Sequence, residues 1–128
     1  MKVAILSESP ADEAAIRILV NAVLGEETQH PPRLSLRARG WPAVVTLLPS
    51  VLKHLHYHTD ADALVVVADA DDSLLHTPEH EEPGAMAPSC RWCIVRHTIG
   101  QVSETLTPVS GRAPIRTAVG IAVPAIEA

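Results

Sequence analysis

Ala63-Leu64-Val65-Val66-Val67-Ala68-Asp69-Ala70-Asp71-Asp72 is the stretch that decides the fold. Its apolar residues follow one another without the in-out alternation of a half-solvated strand. Such a run reads as a strand buried on both faces, the environment of a parallel sheet covered by helices. It then stops directly in Asp69, Asp71 and Asp72.

Working outward, Val3-Ala4-Ile5-Leu6 has the same character and ends in Ser7-Glu8-Ser9-Pro10. Residues 115–123 form another apolar run, and Leu34 and Leu36, alternating with Arg33, Ser35 and Arg37, predict a further strand at an edge. Between these runs the period changes. Ala14, Ile16, Leu19, Val20, Val23 and Leu24 recur at helical spacing, with Ser9 placed to cap, Pro10 at the first position and Gly25 as the stop. Residues 41–57 read as helical, with Pro49 kinking the helix or splitting it in two. Trp92, Val95, Ile99, Val102 and Leu106 predict a helix over 91–106, with Gly100 as a weak position. Residues 73–89, with Pro78, Pro83, Gly84 and Pro88, read as a long loop carrying one helical turn. The order predicts an α/β fold: a mainly parallel four-stranded sheet with helices on both faces, one domain over residues 1–128. Glu127-Ala128 reads as the start of a helix whose body is not in the chain.

Composition narrows the function. With 47% apolar residues in a chain of 128, a real core is expected. Aromatics are only 2%, so that core is aliphatic, and a stacking platform for single-stranded nucleic acid is disfavoured. A formal net charge of -5 opposes non-specific phosphate binding. Between Lys53 and Arg91 there are eight carboxylates and no Lys or Arg. A bound divalent cation would offset part of that charge. No apolar run is long enough for a membrane span, the first residues are too soon acidic for a secretory signal, and Cys90 and Cys93 read as free thiols. A cytoplasmic protein with no membrane partner is expected.

Ligands of open α/β sheets collect at the carboxyl ends of the strands. Glu8, Asp69, Asp71 and Glu127 all fall at or just past such ends. Carboxylates gathered there repel unless a cation joins them, and hard oxygen ligands suit Mg2+ or Mn2+. Asp-x-Asp on an extended backbone turns both side chains to one side, so Asp69 and Asp71 can approach one ion.

Residues 5–12, Ile-Leu-Ser-Glu-Ser-Pro-Ala-Asp, and residues 65–72, Val-Val-Val-Ala-Asp-Ala-Asp-Asp, are similar to the signature segments of the Toprim domain of topoisomerases, primases, small recombination nucleases and overcoming-lysogenization-defect nucleases. The tail over residues 119–128 resembles an uncharacterised Toprim-like family in which a strand leads into Ile-Glu-Ala. The resemblance implies a metal-dependent phosphoryl-transfer enzyme acting on nucleic acid, a nuclease. Glu8 would be its general acid or base, or a metal ligand. Asp69 and Asp71 would hold the ion, with Asp12, Asp72 and Glu127 as accessory acids. The family usually carries Gly after the Glu and again after Asp-x-Asp, where this chain has Ser9 and Ser73-Leu74. Those departures favour an alternative, a non-catalytic Toprim-like binding or assembly module that self-associates. A receiver-like phosphoacceptor at Asp69 ranks below both.

Other motifs read more blandly. His54, His56 and His58 read as an exposed helix end, with His54 and His58 on one face. His76, Glu79 and His80 read as a solvated loop or a loop metal site. Cys90 and Cys93 form one C-x-x-C, weak evidence for zinc without a second ligand pair, and read as buried apolar residues or a redox pair. Arg33, Arg37 and Arg39 are placed either to touch phosphate or to solvate an edge strand.

Overall fold

A computed structural model describes residues 1–8, 10–31, 40–70, 76–82 and 89–122, with backbone alone for residues 10–12. Three strands are described, β1 (Val3–Leu6), β2 (Ala63–Asp69) and β3 (Arg116–Ala122). Three helices accompany them, α1 (Pro10–Leu24), α2 (Gly40–His58) and α3 (Arg91–Thr105), with a 3-10 turn over Pro78–Glu81. The strands form one parallel sheet in the order β1-β2-β3. The fold is thus α/β with a parallel sheet. The described sheet has three strands, not four; the strand expected around Leu34 and Leu36 falls outside the described residues. Just before that segment, Gln29 bridges Lys2 in parallel, on the side of β1 away from β2.

Alternation along the strands sorts the side chains onto two faces. Ala4, Leu6, Leu64 and Val66 join Val44, Leu48, Leu52, Leu55, Val95 and Ile99 in one core, so α2 and α3 cover that face. Val3 and Ile5 point the other way and are also buried, which is why β1 shows no alternation. There α1 contacts β1, so helices lie on both faces.

Gly25 ends α1 with φ 71°, the left-handed conformation that Gly adopts without a Cβ penalty, and its N–H donates to the Asn21 carbonyl at 2.9 Å. The apolar stripe of α1 is only partly used: Ile18, Leu19, Val23 and Leu24 are exposed. Pro49 does not divide α2, which runs unbroken with Leu48, Val51 and Leu52 buried around the proline. Packing of that stripe offsets the one backbone hydrogen bond that Pro cannot donate. The end of α2 is closed by Arg112, whose guanidinium donates to the carbonyls of Leu55 (2.8 Å), Ala61 (2.7 Å) and Thr59. No described helix is long and apolar enough to cross a membrane.

Candidate functional site

Parallel pairing brings the carboxyl ends of β1 and β2 to one edge. Leu6 pairs with Val66, so Glu8, two residues on, comes level with the end of β2. Its carboxylate turns onto that end: Oε2 accepts the Asp69 N–H at 2.5 Å, and the side chain is only 11% exposed. A carboxylate so withdrawn from water needs positive partners. Arg91 supplies one, with Nη1 3.8 Å from Glu8 Oε1 and donating to the Asp69 carbonyl at 2.7 Å. The Arg91 guanidinium in turn lies over the Trp41 ring, 4.8 Å from its centroid.

The elements explain the convergence. Trp41 stands in the first turn of α2 and Arg91 is the first residue of α3. Both helices that cover the core face therefore begin at the edge where β1 and β2 end. The Gly40 N–H donates to the Glu8 carbonyl at 3.3 Å and ties the start of α2 to the same place.

Of the sequence-predicted acids, Glu8 reaches Asp69 through the Asp69 backbone amide, a carboxylate-to-amide contact and not the meeting of two carboxylates. Asp71, Asp72 and Glu127 lie outside the described residues. Asp12 lies in the first turn of α1, at a position of which the backbone alone is described. Arg33, Arg37 and Arg39 are likewise outside the described residues. Sequence reasoning missed Arg91 and Trp41. A signal for Arg91 was present: a cation at a helix N-terminus opposes the helix dipole, so it needs another reason to be there.

Carboxylate oxygens are the ligands Mg2+ prefers, and Glu8 is the acid whose carboxylate the described contacts place at this edge. Each carboxylate oxygen accepts more than one partner, so the amide bond to Glu8 does not exclude a ligand role. The Arg91 guanidinium competes for the same carboxylate. Glu8 thus already has two positive partners here, the Asp69 amide and the Arg91 guanidinium.

The other histidines separate into types. The rings of His54 and His58 lie 5.5 Å apart on one helical face, as four-residue spacing requires. His56 between them is buried and its Nε2 donates to the Thr107 carbonyl at 2.7 Å, a structural bond. His76 and His80 are not in a solvated loop; they lie against Cys90 and Cys93. Comparison with protein-family models, with curated proteins and with solved structures gave no match.

Proposed function

We propose that the carboxyl edge around Glu8 and Asp69 is a phosphoryl-transfer site of Toprim-like type that acts on nucleic acid. In this reading Asp69 and Asp71 hold Mg2+ or Mn2+, Glu8 carries the proton or completes the ligand set, and Arg91 engages a phosphate oxygen. The observation that carries it is the nearly buried Glu8–Arg91 pair, set against the end of β2 by three elements far apart in the sequence. Guanidinium groups match the paired oxygens of phosphate, and this one is pre-positioned by the Asp69 carbonyl and the Trp41 ring. A divalent ion there supplies charge neutralisation on the phosphate and orients the attacking water. Glu8, held between an amide and a guanidinium, is fixed in orientation before substrate arrives, which general acid–base transfer demands.

The test is cleavage of single- and double-stranded DNA with Mg2+ or Mn2+. Asp69→Ala and Asp71→Ala each abolish cleavage while the circular dichroism of the fold persists. Cleavage at the wild-type rate in both variants refutes the assignment.

A second reading has its own support. The Glu8 carboxylate serves the fold by holding the Asp69 amide and Arg91, and α1 exposes Ile18, Leu19, Val23 and Leu24. Both features suit a non-catalytic module that assembles through α1. It predicts a concentration-dependent sedimentation coefficient and no turnover. A monomer that cuts DNA with Mn2+ excludes it.

A further inference from the structure

We propose that His76, His80, Cys90 and Cys93 form a closed, four-coordinate zinc site, separate from the acidic edge. One ligand atom from each of the four lies within 4.8 Å of all the others. The individual distances are closer to the demands of zinc than that limit. Cys93 Sγ is 3.4 Å from His76 Nδ1 and 3.6 Å from His80 Nδ1, and Cys90 Sγ is 3.7 Å from His76 Nδ1. A tetrahedral zinc with Zn–S of about 2.3 Å and Zn–N of about 2.05 Å sets S···N at roughly 3.6 Å. Two thiols and two imidazoles are also the donor types that zinc selects over Mg2+.

Local structure explains how the four meet. Cys90 is the N-cap of α3 and Cys93 lies in its first turn, so the pair shares one face at the positive end of the helix dipole. That end complements the negative charge that two metal-bound thiolates bring. His76 and His80 flank the start of the Pro78–Glu81 turn, which sets both rings toward the sulfurs, 5.1 Å apart between centroids.

The surroundings are those of a ligand shell. Glu81 Oε1 lies 2.8 Å from His76 Nε2. An ionised carboxylate only accepts, so Nε2 carries the proton and Nδ1 presents its lone pair to the two sulfurs. Arg96 holds Glu81 through both carboxylate oxygens, at 3.0 and 3.1 Å. Trp92 covers the His76 ring at 3.8 Å between centroids, and the Arg96 guanidinium lies 4.4 Å over Trp92. Cys90 and Cys93 are 0% and 6% exposed, so the site has no open coordination position toward solvent on the thiol side. This is the character of a structural rather than a hydrolytic zinc. Its role is to fasten the turn to the start of α3. Arg91 lies inside the same C-x-x-C, so the site also fixes the helix end that carries the guanidinium to Glu8.

The test uses the full chain, expressed with zinc, purified under reducing conditions and desalted. About one zinc per chain is expected. Replacement by Co2+ should give the visible absorption of a tetrahedral ion together with thiolate charge transfer. Cys93→Ser and His80→Ala should each lose the metal. Should those variants fail to fold, Glu81→Gln keeps all four ligands and should weaken zinc by about 10- to 100-fold in competition with a chromophoric chelator. Protein without stoichiometric zinc and without a cobalt spectrum overturns the proposal. So does zinc affinity unchanged in Glu81→Gln together with retention of metal in the ligand variants.

Discussion

Replacing Arg91 with Met should destabilise the domain by about 3 kcal/mol. The substitution keeps most of the apolar stem and removes the charge. Nη1 stands 3.8 Å from Glu8 Oε1, where two unit charges at an effective dielectric of 20 interact by about 4 kcal/mol. Breaking one partner of a buried pair costs about 3–5 kcal/mol, because the survivor stays desolvated. The side chains are 16% and 11% exposed, so water screens part of this and the lower end applies. The lost bond to the Asp69 carbonyl at 2.7 Å and the lost contact with Trp41 add to it. At this chain length about 3 kcal/mol corresponds to roughly 10 °C in Tm. Urea unfolding followed by circular dichroism measures it, with a double-mutant cycle as the specific control. Glu8→Gln keeps an oxygen for the Asp69 amide, so it should cost less in the Arg91→Met background than in wild type, with a coupling of at least about 1 kcal/mol. Arg91→Met within about 0.5 kcal/mol of wild type, with additive effects, would refute the role given to this pair.

Other expectations follow from the same geometry. Arg112→Ala should cost about 2–3 kcal/mol in chemical unfolding, since it removes the cation that closes the carbonyls of Leu55, Thr59 and Ala61. Lys2 donates to Asp60 and holds its carboxyl below the ordinary range. A depressed folded value means that the pair's contribution is present above the ordinary carboxylate pKa and is lost as pH falls through the lower one. The Asp60 titration midpoint, followed by NMR, should therefore move upward in Lys2→Met. Val23 is 85% exposed, so Val23→Lys should leave the stability of the monomer within about 0.5 kcal/mol. A larger loss in sedimentation-controlled melts would mean that the α1 face is covered.

The strands were legible from their uninterrupted apolar runs: β1 is buried on both faces as such a run implies, while β2 alternates between buried and half-buried positions. Their parallel pairing was legible because alternating elements favour a parallel sheet. Coverage was not. Leu19, Val23 and Leu24 have helical spacing, but spacing identifies an apolar face without saying whether anything lies on it. For the same reason the apolar run of β3 gave no hint that Arg116, Thr117 and Ala118 are exposed at the edge.

The site divides similarly. Glu8 reaches the Asp69 amide because it lies two residues past β1 and Asp69 ends β2, a proximity that sequence carries. Arg91 and Trp41 reach them from the starts of two helices, which depends on how α2 and α3 pack. The histidines and cysteines are two weak motifs when read separately. Only the return of the turn over Pro78–Glu81 onto α3 makes them one cluster.

Whether the edge where β1 and β2 terminate binds a cation is read out by paramagnetic broadening with Mn2+. In 15N-labelled protein loaded with zinc, substoichiometric Mn2+ should broaden the amides of Glu8, Asp69, Ala70 and Arg91 before all others, and Asp69→Ala should remove the effect. Amides at that edge that stay sharp while Mn2+ broadens only scattered surface acids would contradict it.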